Sequence, residues 1–257
     1  MKYRGAVTRA FGQSQYQVRF DWGIQGVDAI ADDVDVIVVV DVLSFSTTVA
    51  LATELGVEIV PAAPENAREV SGELGGTLAG QRGAAGPTLS PASITADSVA
   101  GVARLVLPSV NGSRLVAALA DRDAAVVAGS LRNPGAIAKW AIAHQGDKGD
   151  RFTVAVIGAG EARADETIRF ALEDLLGAGA IIDALAEVGI DYCSPEAAAA
   201  AAAFTGLHNA IGHLVGASGS GRELAEAGFR ADVDLAIDID ASDTVPVLRE
   251  FAFRAER

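Results

Sequence analysis

The chain lacks most of the features that announce a function. It has a single cysteine, Cys193, so no intrachain disulfide can form and a reducing compartment is the simplest setting. It has no long hydrophobic run. The longest apolar stretches are strand-length and interrupted by Asp, which excludes ordinary membrane spans. The opening stretch "MKYRGAVTRAFGQSQY" has no apolar core of the kind a signal peptide needs, so a cytoplasmic protein is expected. Basic residues are scarce: Lys+Arg number 20 against 34 Asp+Glu, a formal net charge of −14. Such a field repels nucleic acid and anionic membranes, so neither is an expected partner. It also repels small anions, and a site for one would need local donors or a divalent cation.

Several familiar motifs are missing too. "IGAGEAR" at 157–163 starts like a dinucleotide fingerprint, but Arg163 stands where the third glycine of G-x-G-x-x-G belongs. No G-x-x-x-x-G-K-[ST] exists, which excludes a P-loop. "DVLSF" begins like the D-x-D of aspartyl phosphatases, yet Leu43 replaces the second acid. His208 and His213 are five residues apart, about 140° around a helix, and so are poorly placed to share one metal. His144, in "AHQGDKGD", is expected to be solvated. Zinc is therefore not expected, and any metal should be a hard, oxygen-ligated ion such as Mg²⁺.

What is present is a large apolar core. The chain has 257 residues, half of them hydrophobic, with a mean hydropathy of +0.30. That suffices for one α/β unit spanning 1–257, or two lobes meeting at a cleft. Strand-like runs fall at 16–22, 34–43, 57–62, 104–110, 124–130, 151–160 and 234–240, and most are followed by helical patterns. This alternation implies a mostly parallel or mixed sheet with flanking helices. The runs 34–43 and 151–160 should be central strands. Residues 71–101 look like an irregular excursion or flap, and 216–228 like a flexible turn entering a helix. Self-association is left open.

Polar groups gather at the strand ends. One strand is followed by Asp41, Ser44, Ser46, Thr47 and Thr48; another by Ser109, Asn111, Gly112 and Ser113; a third by Ser130, Arg132 and Asn133; a fourth by "GAGEARADE". Two readings stay open. These are the residues that cap helices, and they are also the residues that bind anions outside the carboxyl ends of parallel strands. In "ETIRFALEDLLGAGAIIDAL", read as one helix, Glu173 falls opposite the apolar stripe with Glu166 and Arg169, a pattern expected of a solvated face. Asp174 falls nearer the boundary, beside Thr167, and is the better candidate to reach a cleft.

Taken in order, "VDVLSFSTTVALA", "GQRG", "SVNGSRLVAAL", "AGSLRNPGAIA", "LEDLLGAGAII" and "DTVPVL" resemble the 2-phosphosulfolactate phosphatase (ComB-like) family. The resemblance implies a ComB-like α/β fold and a Mg²⁺-dependent phosphomonoester hydrolase of coenzyme M biosynthesis, acting on a small anionic phosphoester. By position it implies catalytic roles for Asp41, Arg82, Glu173 and Asp174, with Asp41 and Asp174 holding the metal. Substrate contacts would come from Ser46, Thr47, Thr48, Ser109, Asn111, Gly112 and Ser130. The chain departs from the family pattern at Ser44, Gln81 and Leu89, where the family carries Arg, Glu and Asn. A non-catalytic anion-binding protein on the same scaffold is the competing expectation.

Overall fold

The run Val36–Val40 is buried at every position. A strand without a solvated face has to sit inside a sheet that is covered on both sides, and the computed structural model places it there. The structure describes residues 11–146, 148, 152–163, 165 and 167–256. Among them the strands are β1 (Val18–Trp22), β2 (Val36–Val40), β3 (Glu58–Ala62), β4 (Thr77–Leu78), β5 (Arg104–Pro108), β6 (Ala125–Gly129), β7 (Val154–Gly158), β8 (Glu161–Ala162), β9 (Ile168–Arg169), β10 (Val245–Arg249) and β11 (Ala252–Glu256). Nine of these form one sheet in the order β1–β7–β2–β6–β10–β11–β3–β5–β4, while β8 and β9 form a separate ribbon.

The sheet is mostly parallel, in two blocks. The strands β1, β7, β2 and β6 pair in parallel, and so do β3, β5 and β4. The hairpin β10–β11 joins the blocks through three antiparallel ladders. The second block therefore runs against the first along the ladder. Five ladder steps separate β2 from β5. With roughly 20–25° of twist per step, their directions differ by roughly a further 100–125°. This lets the carboxyl ends of β2 and β5 converge.

Alternation along β2 divides the core. Val36, Val38 and Val40 face one cluster, with Ile137, Leu176, Ile181 and Phe204 from the helices Pro134–Gln145, Leu172–Glu187 and Pro195–Leu207. Ile37 and Val39 face the other, with Val27, Phe45, Val49 and Leu115 from Gly23–Ile30, Phe45–Glu54 and Gly112–Ala117. A residue period of two, read on a continuous apolar run, produces both faces.

One expectation needs correction and two need refinement. The run 234–240 is no strand: Arg230–Ala236 is helical and buries Asp232, Val233 and Ala236, an i, i+1, i+4 face. The strand nearby comes instead from "DTVPVL" and forms β10. Residues 71–101 hold the end of the helix Ala67–Leu74, β4 and a 3-10 turn at Pro91–Ser93. Hydroxyls stitch this segment together, with Ser93 Oγ donating to Ser90 O (2.6 Å) and Ser98 Oγ to Ser93 O (2.6 Å), so it is not a loose flap. Within 216–228, Gly219–Glu226 is already helix, and Ser218 Oγ caps it by accepting from the Gly221 N–H (3.1 Å).

His144 stacks on Trp140 with ring centroids 3.9 Å apart, and His208 meets Phe204 edge-on. No helix among the described residues is long and apolar enough to cross a membrane.

Candidate active site

β2 ends at Val40, and the chain must turn into the helix Phe45–Glu54 within a few residues. The Asp41 N–H donates to Ser46 Oγ (3.0 Å), and that hydroxyl donates onward to Val39 O (3.1 Å). Thr47 Oγ1 donates to Val42 O (2.7 Å), and Thr48 Oγ1 to Leu89 O (2.8 Å). Ser46, Thr47 and Thr48 are thus fully buried with their hydroxyls committed to backbone. None of the three caps the helix, since they lie inside it and donate to carbonyls instead of accepting from its first-turn amides, and their cost of burial is met by the bonds they make. Asp41 is the exception in the turn. The residue is 6% exposed, and its carboxylate accepts a long bond from the Phe45 N–H (3.4 Å) with the Gly112 amide also facing it.

Asp174 lies behind Asp41. It accepts from the Val42 N–H (2.8 Å) and, on its other oxygen, from the Gly160 N–H (2.9 Å). One carboxylate thus ties the turn after β2 to the turn after β7. Glu173, expected on a solvated face, is 2% exposed. The helix begins only at Leu172, and Ile168–Arg169 belongs to β9, so the ladder that placed Glu173 outside does not exist. Glu166 lies outside the described residues. Several carboxylates crowded into a low-dielectric region resist ionising together. Burial, then the like charge of Glu161, with Glu173 behind it, pushes Asp41 up to about 7 against the amides of Phe45 and Gly112. Burial, then Asp41 and Glu173, holds Asp174 well above the usual carboxylate range.

Asp41 opens onto a cleft of about 320 Å³ lined by Ser44, Arg82, Ser109, Asn111, Glu161, Ser220, Glu223 and Phe229, among others. The turn after β5 supplies one wall: the Gly112 N–H donates to Ser109 Oγ (3.2 Å), and Asn111 Nδ2 donates to Glu161 Oε2 (3.1 Å). A Cβ on Gly112 would lie 2.3 Å from the Phe45 ring, so only glycine lets the two strand ends meet. The helix Gly219–Glu226 roofs the opposite side, with Ser220 Oγ donating to Glu161 Oε1 (3.1 Å). Arg82 reaches in from the excursion. It pairs with Asp232, donates to Ser44 Oγ (3.3 Å) and lies over the Phe229 ring. Burial lowers its pKa, while Asp232 and Asp41 favour its charge.

The expected residues are therefore partly assembled. Asp41, Arg82, Ser109 and Asn111 line the cleft, Gly112 abuts it, and Asp174 and Glu173 stand behind it. Ser46, Thr47 and Thr48 do not line it. Nor does Ser130, whose Oγ and N–H both donate to Asn133 Oδ1. Sequence reasoning missed Glu161, Ser220, Glu223 and Phe229. For Glu161 a signal existed, since it directly follows Gly160 after a central strand. Ser220 and Glu223 arrive on the helix Gly219–Glu226 and Phe229 at the turn before Arg230–Ala236, elements whose docking is purely tertiary.

A larger hollow of about 950 Å³ lies by the amino ends of β1 and β7. Its Arg19 is spent on the carbonyls of Ile30 and Asp32 (3.2 Å each), and ligands of open α/β sheets gather at the other edge. Among the described residues no group of three or more His, Cys, Asp or Glu is arranged to hold a metal.

Comparison with known proteins places the chain in a family. Residues 26–250 match the family described as 2-phosphosulpholactate phosphatase. The 2-phosphosulfolactate phosphatase of Methanothermobacter thermautotrophicus is 33% identical over 219 residues, covering 83% of this chain and 86% of that one. A probable 2-phosphosulfolactate phosphatase of Deinococcus radiodurans is 30% identical over 224 residues, covering 83% and 88%. One from Synechococcus sp. is 28% identical over 232 residues, covering 84% and 87%. The match takes in the turns that carry Asp41, Asn111, Glu161 and Asp174, and on this footing the chain belongs to the 2-phosphosulfolactate phosphatase family of phosphoric monoester hydrolases.

Proposed function

We propose that the cleft hydrolyses 2-phosphosulfolactate, or a closely related small anionic phosphomonoester, to the free alcohol and phosphate with the help of Mg²⁺. One observation supports this above the rest. Three carboxylates, Asp41, Glu161 and Glu223, line the cleft, and Arg82 is the one cation among its described lining residues. An anionic ester would be repelled from such a site unless a cation entered with it. Mg²⁺ suits this donor set, because it is commonly held by one or two carboxylates plus substrate oxygens and water, without an all-protein cage. Asp41 and Glu161 would hold it. Asp174, expected as a ligand, has an amide on each oxygen and serves better as the brace between the two turns.

A bound Mg²⁺ would neutralise charge on the phosphoryl oxygens and orient a water. Arg82 would meet the equatorial oxygens, where charge is spread in the transition state. The Ser109–Gly112 turn would fix the ester in line with the water. The phosphorus–ester bond breaks as water adds, and the departing oxygen takes up a proton to become the alcohol. Buried Asp41 is pushed up to about 7, and a cation at hand would favour its charged form.

The test is phosphate release from a panel of phosphomonoesters, 2-phosphosulfolactate included, with Mg²⁺, with Zn²⁺ and with EDTA. Turnover should require Mg²⁺, and Asp41→Asn should fold normally while losing it. Activity untouched by EDTA would remove the metal from the reading. Phosphate binding without release from any ester would favour the anion-binding protein instead.

A further inference from the structure

Asp232 takes no part in the reading above, yet its side chain is fully buried. It sits in the helix Arg230–Ala236, far along the chain from the residues it touches. Three donors converge on it: the Arg82 guanidinium, Ser90 Oγ, and the Ala92 N–H at 3.0 Å. A carboxylate this deep is tolerated only when paired and hydrogen-bonded on both oxygens, and here the pairing partner is the cleft's own cation.

The contacts of Arg82 define where that cation points. Nη1 is held by Asp232, Nη2 donates to Ser44 Oγ (3.3 Å), and the plane lies over the Phe229 ring, 5.3 Å from its centroid. The side chain remains 22% exposed, toward the cleft it lines. A free arginine would lose much rotamer freedom on meeting an anion. One anchored in this way has already lost it. We infer that Asp232 is a positioning residue, which holds the Arg82 guanidinium aimed at the phosphoryl group and so sets the affinity of the cleft for phosphate. The inference rests on the proposed function in one respect only, that Arg82 meets a phosphoryl anion.

Asp232 also pins Ser90 and Ala92, so the experiment must separate aiming from simple bracing. The measurement is inorganic phosphate affinity by titration calorimetry, with Mg²⁺ present, for wild type, Asp232→Asn, Arg82→Gln and the double variant, each with its thermal midpoint. Loss of a charge-assisted contact should weaken phosphate binding about tenfold to a hundredfold in each single variant. The double variant should bind no worse than Arg82→Gln alone, because Asp232 acts through Arg82. Additive losses, or a lowered midpoint with unchanged phosphate affinity, would overturn the inference. Should Asp232→Asn fail to fold, Arg82→Ala asks the same question. Millimolar guanidinium chloride should restore its phosphate binding by occupying the seat that Asp232 provides, and no restoration would count against the clamp. Wild type that binds no phosphate would overturn it outright. Wild type that binds phosphate but hydrolyses nothing would refute the proposed hydrolysis and leave the clamp standing.

Discussion

At the residue scale, Asp41 concentrates the tension of the site. Its carboxyl is pushed up to about 7, whereas in an unfolded chain it would titrate near about 3.9. The folded form therefore binds the proton more tightly across that interval. Its contribution to stability is fully present below the unfolded value and is lost as pH rises toward about 7. The metal-free protein should accordingly show a falling thermal midpoint between about pH 4 and about pH 7. Asp41→Asn should flatten that slope, and saturating Mg²⁺ should oppose it in wild type by favouring the charged form. A midpoint that rises over the same range in metal-free wild type would contradict the arrangement. That Asp41 lines the cleft was legible in the sequence, because an acid ending a continuous valine run has few structural reasons to be there. Glu173 was misread, since helix periodicity is informative only once the first residue of the helix is known.

At the element scale, the two strand-end turns meet through Gly112. A methyl there would press on the Phe45 ring, with 2.3 Å to Cδ1 and 2.7 Å to Cβ. Overpacking of this kind costs about 1–3 kcal/mol, so urea unfolding of Gly112→Ala should show a loss of that order. Turnover should fall further than stability, because Phe45 carries one of the amides that Asp41 accepts from. Gly72→Ala, in the helix Ala67–Leu74 with nothing within 4 Å of its Cβ, should be neutral or slightly stabilising. The strands flanking these turns could be read from β-branched runs of five or so residues. "DLAIDID" could not, because a short alternating run satisfies period two and, on a different face, period 3.6. Only the burial of Asp232, Val233 and Ala236 together decides for helix.

At the scale of the whole molecule, parallel character was legible and strand order was not. Helix–strand alternation announces βαβ units, but nothing local reveals that β10 and β11 slip between β6 and β3. "DTVPVL" reads as an unremarkable apolar run, and the pairing of Val247 with Val127 and of Phe253 with Ile59 is long-range. Among the described residues that hairpin is the sole ladder connection between the two blocks. Removing residues 245–256 should abolish the single cooperative transition in urea, with far-UV circular dichroism showing a broad or two-step loss. One sharp transition at nearly the wild-type midpoint would refute this. A further consequence concerns the order of synthesis. A ribosome makes β6 and β3 long before it makes the strands that will lie between them. Each nascent block then carries an open, hydrogen-bonding flank facing solvent or a holdase. The ladder that joins the two blocks is complete only when the last-made strands of the sheet leave the exit tunnel.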